Sequence, residues 1–227
     1  MEARAAIRTL RAVIPENLVP HDCPWPIVLG IDPGTRVMGY GALVLAPEGP
    51  RLVACGVLRP DARAAVPARL GELQGDLEAL LTALRPGVLC IERAFHARNA
   101  QAAFRLGEAR GVVLAASARR GIEVIELAPA AAKKAVSGHG GASKEQVARM
   151  VAELLGSARL DVPLDATDAL ALALACLKRR TAPGAGVPRA RGQSLAALAG
   201  RAQRASNGRH GRAREEGRRS RALPRGG

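Results

Sequence analysis

The chain has 227 residues, of which 48% are hydrophobic, enough to bury one ordinary core but not several large domains. Its formal net charge of +14 favours a polyanionic partner such as nucleic acid or an anionic membrane surface. No stretch reaches the roughly 18 consecutive apolar residues of a membrane helix, and no apolar run follows Arg4, Arg8 and Arg11 as a signal peptide requires.

Four cysteines (Cys23, Cys55, Cys90, Cys176) stand far apart in apolar surroundings with no CxxC pairing, which reads as buried free thiols in a reducing, cytoplasmic setting. The charge is uneven. Residues 181–227 carry eleven Arg and two Glu, whereas residues 27–180 carry 20 basic and 15 acidic residues. The arginine-rich tail cannot bury enough apolar surface to offset chain entropy and is expected to be disordered. Residues 1–26 end in the loop-like run His21-Asp22-Cys23-Pro24-Trp25-Pro26 and read as an extension. One folded domain, 27–180, is left between them.

Within that domain Ile27–Ile31 is an apolar strand that stops at Asp32-Pro33-Gly34-Thr35, a turn. Met38–Leu45 and Leu52–Leu58 follow as an antiparallel meander. Leu70, Leu73, Leu77, Leu80, Leu81 and Leu84 recur at helical spacing. Val88–Ile91 is a short buried strand running into Glu92. Residues 99–118 form a second helix, whose small residues Ala102, Ala103, Gly107, Ala109 and Gly111 suit close packing against a partner helix. A fifth strand, Ile122–Leu127, leads to a short helix from Pro129 to Val136. A glycine loop, 138–141, comes next, and then a helix capped by Ser143 that runs to Leu155. The last helix spans Asp165–Leu177. This order predicts an α/β fold, a five-stranded mixed sheet with helices on both faces.

Taken singly, the acids have structural explanations. Asp32 suits a turn, Glu92 a strand end, and Asp165 with Asp168 the N-cap and N3 of a helix. Taken together they suggest chemistry. Asp32 and Glu92 each follow a buried strand, and ligand sites assemble at strand ends in α/β sheets. Asp165 and Asp168 share one helical face at the start of an apolar helix. Carboxylates gathered at one edge repel each other unless a hard cation intervenes, which selects magnesium, with manganese able to substitute. Two such ions about 4 Å apart support phosphodiester hydrolysis.

The run Ile31-Asp32-Pro33-Gly34-Thr35-x-x-x-Gly39-Tyr40-Gly41 closely resembles the opening motif of the RuvC family of Holliday junction resolvases. Ile91-Glu92-Arg93-Ala94-Phe95-x-x-x-Asn99, Leu106-Gly107-Glu108-Ala109-Arg110-Gly111, the segments beginning at Lys133 and Ala142, and Asp165-Ala166-x-Asp168-Ala169-Leu170-Ala171 resemble further motifs of that family in the correct order. The resemblance covers residues 27–180. It implies an RNase H-like fold and a homodimer that nicks four-way (Holliday) DNA junctions in recombination and repair. The paired, symmetric cuts leave 5′-phosphate and 3′-hydroxyl ends. By motif position, Asp32, Glu92, Asp165 and Asp168 are the catalytic, Mg2+-binding quartet. A branch-migration motor is an implied partner.

Other matched residues point to DNA. Phe95, flanked by Arg93, His96, Arg98 and Asn99, reads as an exposed ring that stacks on an unpaired base, worth about 1–3 kcal/mol. Arg98 and Asn99 join it as DNA-binding candidates. Lys133, Lys134 and Lys144 flank the glycine loop and suit phosphate contacts. Lys144 has a second open role, stabilising charge on the transferring phosphate. His139 is assigned no catalytic role. Ala130-Ala131-Ala132 departs from the family pattern, where a basic or polar residue is common. Two rival readings are an ATP-using enzyme of the actin and sugar-kinase superfamily and a non-catalytic junction binder. The first needs a second large domain. The second gains nothing from carboxylates that face phosphate.

Overall fold

The computed structural model describes residues 26–93 and 100–181. In chain order the elements are β1 (Val28–Asp32), β2 (Met38–Ala46), β3 (Gly49–Leu58), α1 (Val66–Leu84), β4 (Val88–Glu92), α2 (Ala100–Arg120), β5 (Glu123–Leu127), α3 (Pro129–Ser137), α4 (Lys144–Leu154) and α5 (Leu164–Thr181). The five strands form one sheet in the order β3-β2-β1-β4-β5. β1 pairs antiparallel with β2, and β2 with β3, while β1–β4 and β4–β5 are parallel. The mixed sheet predicted from the element order is therefore present.

β2 and β3 are longer than the alternating residues alone indicate. The hairpin closes over the two residues Pro47 and Glu48, and pairing continues outward to Ala46↔Gly49. Gly49 has φ 132°, a backbone state that side chains rarely adopt. α1 begins four residues before Leu70, because Pro67 in its first turn presets φ and needs no intrahelical amide partner. α4 starts as expected. Ser143 Oγ accepts the Gln146 amide while the Gln146 side chain accepts the Ser143 amide, a capping box.

Helices cover both faces. Strand side chains alternate in direction, so Leu29, Ile31, Met38, Tyr40, Leu89 and Ile91 point to one face. There they pack with Leu73, Leu77, Leu80, Leu81 and Leu84 of α1 and with Ala109, Val113 and Ala116 of α2. Each fully buried leucine contributes about 1.5–3 kcal/mol of transfer free energy. Val28, Leu43, Cys55, Val88 and Cys90 point to the other face, where α3, α4 and α5 lie. Cys55, Cys90 and Cys176 are buried and free, as expected, and Cys23 lies outside the described residues.

α5 is buried almost all round from Ala166 to Leu177, the mark of a central helix. It lies unusually close to the sheet. A Cβ built on Gly30 would stand 2.0 Å from the Ala169 carbonyl oxygen, and one on Gly39 would stand 2.0 Å from the Asp165 carbonyl oxygen. Only glycine at these two strand positions permits that approach.

Candidate active site

Strand parity aims the first two acids. Asp32 is the last residue of β1 and shares the side of Val28 and Gly30, the side facing α5. Glu92 is the last residue of β4 and shares the side of Val88 and Cys90, again facing α5. β1 and β4 run parallel in the register Ile31↔Ile91, so the two acids leave adjacent strand ends in the same direction.

α5 brings the other two. Gly39 pairs with Asp32 across β1 and β2, and it is also where the Asp165 main chain touches the sheet. The glycine contact thus sets the start of α5 beside the end of β1. Asp168 follows one turn on. The structural alternative for Asp165, the N-cap of this helix, does not hold. Leu164 is the first helical residue, Asp165 lies inside the first turn, and the Ala166 and Thr167 amides donate to the Pro163 carbonyl. Pro163 can close that turn because only its carbonyl is needed. The alternative of Asp168 as the N3 half of a capping box fails with it. The Asp168 carboxylate accepts a hydrogen bond from Lys144 Nζ at 2.7 Å.

The electrostatics agree with a shared site. Burial, then the charges of Asp168, Glu92 and Asp165, push the Asp32 carboxyl up to about 7, against a smaller opposing pull from Lys144. Burial and Asp168 raise Glu92, opposed by Lys144, Arg110 and Lys133. The hydrogen bond to Asp168 raises Lys144, helped by Asp32 and Asp165, so its ammonium stays charged. Asp168 thus acts on both strand-end acids, and Glu92 and Asp165 act on Asp32. Among the described residues, no three His, Cys, Asp or Glu side chains are already drawn together around a single point. The two observations differ in range: charges couple over several ångströms more than a ligand bond spans. Lys144 meanwhile occupies one Asp168 oxygen. The donor set nonetheless fits a hard divalent cation. It consists wholly of carboxylate oxygens, and the raised Asp32 carboxyl reflects burial first and then negative charge that one lysine does not balance.

The basic candidates divide. Lys133 is half-buried, and its Nζ donates to the Ala142 carbonyl at 2.9 Å, tying α3 across the glycine loop. Lys134, His139 and Lys144 are exposed around the same loop. Phe95, Arg98 and Asn99 lie outside the described residues. Of the small residues on α2, Ala109 is fully buried against the sheet and so is not available to a partner helix, because it shares the stripe of Val113 and Ala116. Ala102, Ala103, Gly107 and Gly111 are exposed, and Phe104 between them is 73% exposed.

Two features escaped the sequence reading. A cleft of about 330 Å³ beside the loop that follows Asp32 is lined by Pro33, Gly34, Thr35, Gln101 and Arg105. Arg110 is buried and donates to the main-chain carbonyl of Glu92 and to the Glu126 carboxylate. The available signal is a charged residue on the buried Ala109–Val113–Ala116 stripe of a helix that is otherwise mostly exposed.

Comparisons with known proteins agree with this architecture. Residues 28–176 match the family model of the crossover junction endodeoxyribonuclease RuvC. The crossover junction endodeoxyribonuclease RuvC of Chlorobium phaeovibrioides is 43% identical over 156 residues, 67% of this chain and 82% of the relative. That of Chloroflexus aurantiacus is 44% identical over 146 residues, 64% of this chain and 89% of the relative. A solved structure of T. thermophilus RuvC in complex with Holliday junction substrate is 34% identical with a TM-score of 0.62, covering 66% of this chain and 92% of that one. The fold is that of these neighbours, an RNase H-like mixed sheet, and the chain belongs to the RuvC family.

Proposed function

We propose that this chain is a magnesium-dependent crossover junction endodeoxyribonuclease, in which Asp32, Glu92, Asp165 and Asp168 hold the metal ions. The observation that carries the reading is the placement of carboxylates from β1, β4 and α5 at one edge of the sheet, where burial, and then the charges of Asp168, Glu92 and Asp165, lift Asp32 to about 7. Family membership supports the reaction class, and the T. thermophilus relative was solved with Holliday junction substrate. The family match over 28–176 leaves no observation that favours the ATP-using or the non-catalytic reading.

Two magnesium ions, when bound, supply a Lewis acid for the scissile phosphate and activation of the attacking water. The residues of the chain supply the rest. Asp32 and Glu92 fix the ion seat from two rigid strand ends. Asp168 and Asp165 close it from the first turn of α5. Lys144, still protonated, releases or shares Asp168 and turns its ammonium toward charge that develops on the phosphate. Lys133 braces the glycine loop, and Lys134 faces the backbone phosphates of the bound arm. Phe95, Arg98 and Asn99 are assigned to DNA on their motif positions.

The functional unit is a homodimer with one active site per subunit. The exposed Phe104 and the small residues Ala102, Ala103, Gly107 and Gly111 favour α2 as its seam. The chain acts in the cytoplasm, with a branch-migration motor as a transient partner. Among the described residues no helix is long and apolar enough to cross a membrane. The domain itself is residues 27–180, flanked by an extension, 1–26, and an arginine-rich tail, 181–227.

The test is strand mapping of a mobile four-way junction incubated with the full chain and Mg2+. Paired, symmetric nicks that ligase seals are expected. Cuts carrying 5′-hydroxyl ends, unpaired random nicking, or ATP hydrolysis without cutting would each contradict the proposal.

A further inference from the structure

Arg110 is a full charge at a buried position. It is 9% exposed and lies on the inward stripe of α2 beside Ala109 and Val113. Burying a guanidinium is costly unless its donors are used. Both of its arms are used. Nη1 donates to the main-chain carbonyl of Glu92, and Nη2 donates to Glu126 Oε2 at 3.0 Å.

The location of that first bond matters. The β1–β4 ladder ends at Ile31↔Ile91, one residue short of Glu92, while β5 still pairs with Glu92 through Leu127. On the β5 side the Arg93 amide donates to the Leu127 carbonyl at 2.7 Å. Arg110 adds a side-chain tie at the Glu92 carbonyl, at the last residue of β4 before the strand leaves the sheet. It reaches Glu92 from the face covered by α1 and α2, whereas the Glu92 side chain shares the parity of Val88 and Cys90 on the α5 face. Glu126, on the Arg110 side of β5, holds the second arm of the guanidinium and so fixes its direction.

We infer that Arg110 is a positioning residue: from behind the sheet it fixes the main chain of Glu92, and thereby the aim of the Glu92 carboxylate toward the bound metal. The inference rests on the proposed role of Glu92 in holding metal. A neutral side chain of similar length would keep the packing and remove the tie. Partners that orient a metal ligand are commonly worth about 10- to 100-fold in metal affinity or activity.

The experiment compares the full-length wild type, Arg110→Met and Arg110→Lys. Three quantities are read: the rise in Tm on adding Mn2+ without DNA, four-way junction binding, and the cutting rate as Mg2+ is varied. Arg110→Met is expected to bind the junction within about 3-fold of wild type. It should show a smaller Mn2+-induced rise in Tm and cut about 10- to 100-fold more slowly, a deficit that narrows as Mg2+ is raised. Arg110→Lys keeps one donor for the Glu92 carbonyl and should recover part of both. If Arg110→Met does not unfold cooperatively, Arg110→Lys decides, with a smaller loss of the same metal-dependent kind expected. A wild-type metal response in the deciding variant overturns the inference. So does a cutting deficit that added metal leaves unchanged. A wild type that neither cuts the junction nor gains stability from Mn2+ overturns the proposed function and this inference together. A wild type that responds to Mn2+ alongside an equally responsive Arg110→Met overturns this inference alone.

Discussion

Asp32 is the residue on which the electrostatics of the site concentrate. Its folded-state pKa is raised from the ordinary 3.8 to about 7 by burial and three neighbouring carboxylates. A carboxyl raised in this way favours the fold when protonated. Its contribution is fully present below pH 3.8 and is lost as pH rises through about 7. Asp32→Asn is therefore expected to stabilise the metal-free protein at pH 8 by about 1–3 kcal/mol, discounted from the full shift for partial exposure, and by nothing measurable near pH 4. Denaturant melts at the two pH values check this, and an Asn variant less stable than wild type at pH 8 would contradict it. Tyr40 gives a second residue-scale expectation. It is fully buried, and its hydroxyl has no hydrogen-bond partner among the described residues. Tyr40→Phe removes a desolvated group without opening a cavity, so thermal melts should show unchanged or higher stability, by about 1 kcal/mol. Asp165 acts least of the three acids on Asp32, so its loss should be the mildest of the four.

At the scale of elements, the start of α5 and the cap of α4 set the site. Gly39→Ala would force its new Cβ against the Asp165 carbonyl oxygen, which stands 2.0 Å away. The helix start must then lift off β2, so both Tm and cutting should fall, whereas the same change at the exposed Gly71, where a Cβ meets nothing within 4 Å, should leave cutting intact. Ser143→Ala removes the capping box that precedes Lys144 and should cost about 1 kcal/mol in a chemical melt. Much of this level was legible in the sequence. The leucine spacing of α1 announced its buried face, Ser143 and Gln146 announced a cap, and the meander followed by crossovers announced a mixed sheet. The Asp-Pro-Gly turn marked the end of β1. What was not legible depended on contacts between distant segments. Only the sheet shows that Gly30 and Gly39 admit a helix rather than serve a turn. Only α2 docked on the sheet shows that Arg110 reaches the end of β4. Asp165 and Asp168 had the spacing of a capping box, and local pattern could not reveal that Pro163 closes the turn and Lys144 takes the carboxylate.

For the whole molecule, the charge distribution sets how DNA is met. A chain of net charge +14 with an acidic site needs its basic surface to offset repulsion between the carboxylates and the phosphates. Junction affinity should fall steeply with salt, and removing residues 182–227, which carry eleven Arg, should lower that slope while leaving the cutting rate of bound junction unchanged. Fluorescence titrations over a range of salt concentrations check the slope. The central claim, that carboxylates from two strand ends and one helix start hold the metal for strand cleavage, is tested most directly by single-turnover cleavage of a saturating four-way junction with Mg2+. Wild type, Asp32→Asn and Glu92→Gln are compared, with junction binding measured in parallel. Paired nicking by wild type, and cutting reduced at least about 1000-fold in both variants with binding preserved, is the expected result. Cutting by either variant at close to the wild-type rate would contradict the claim.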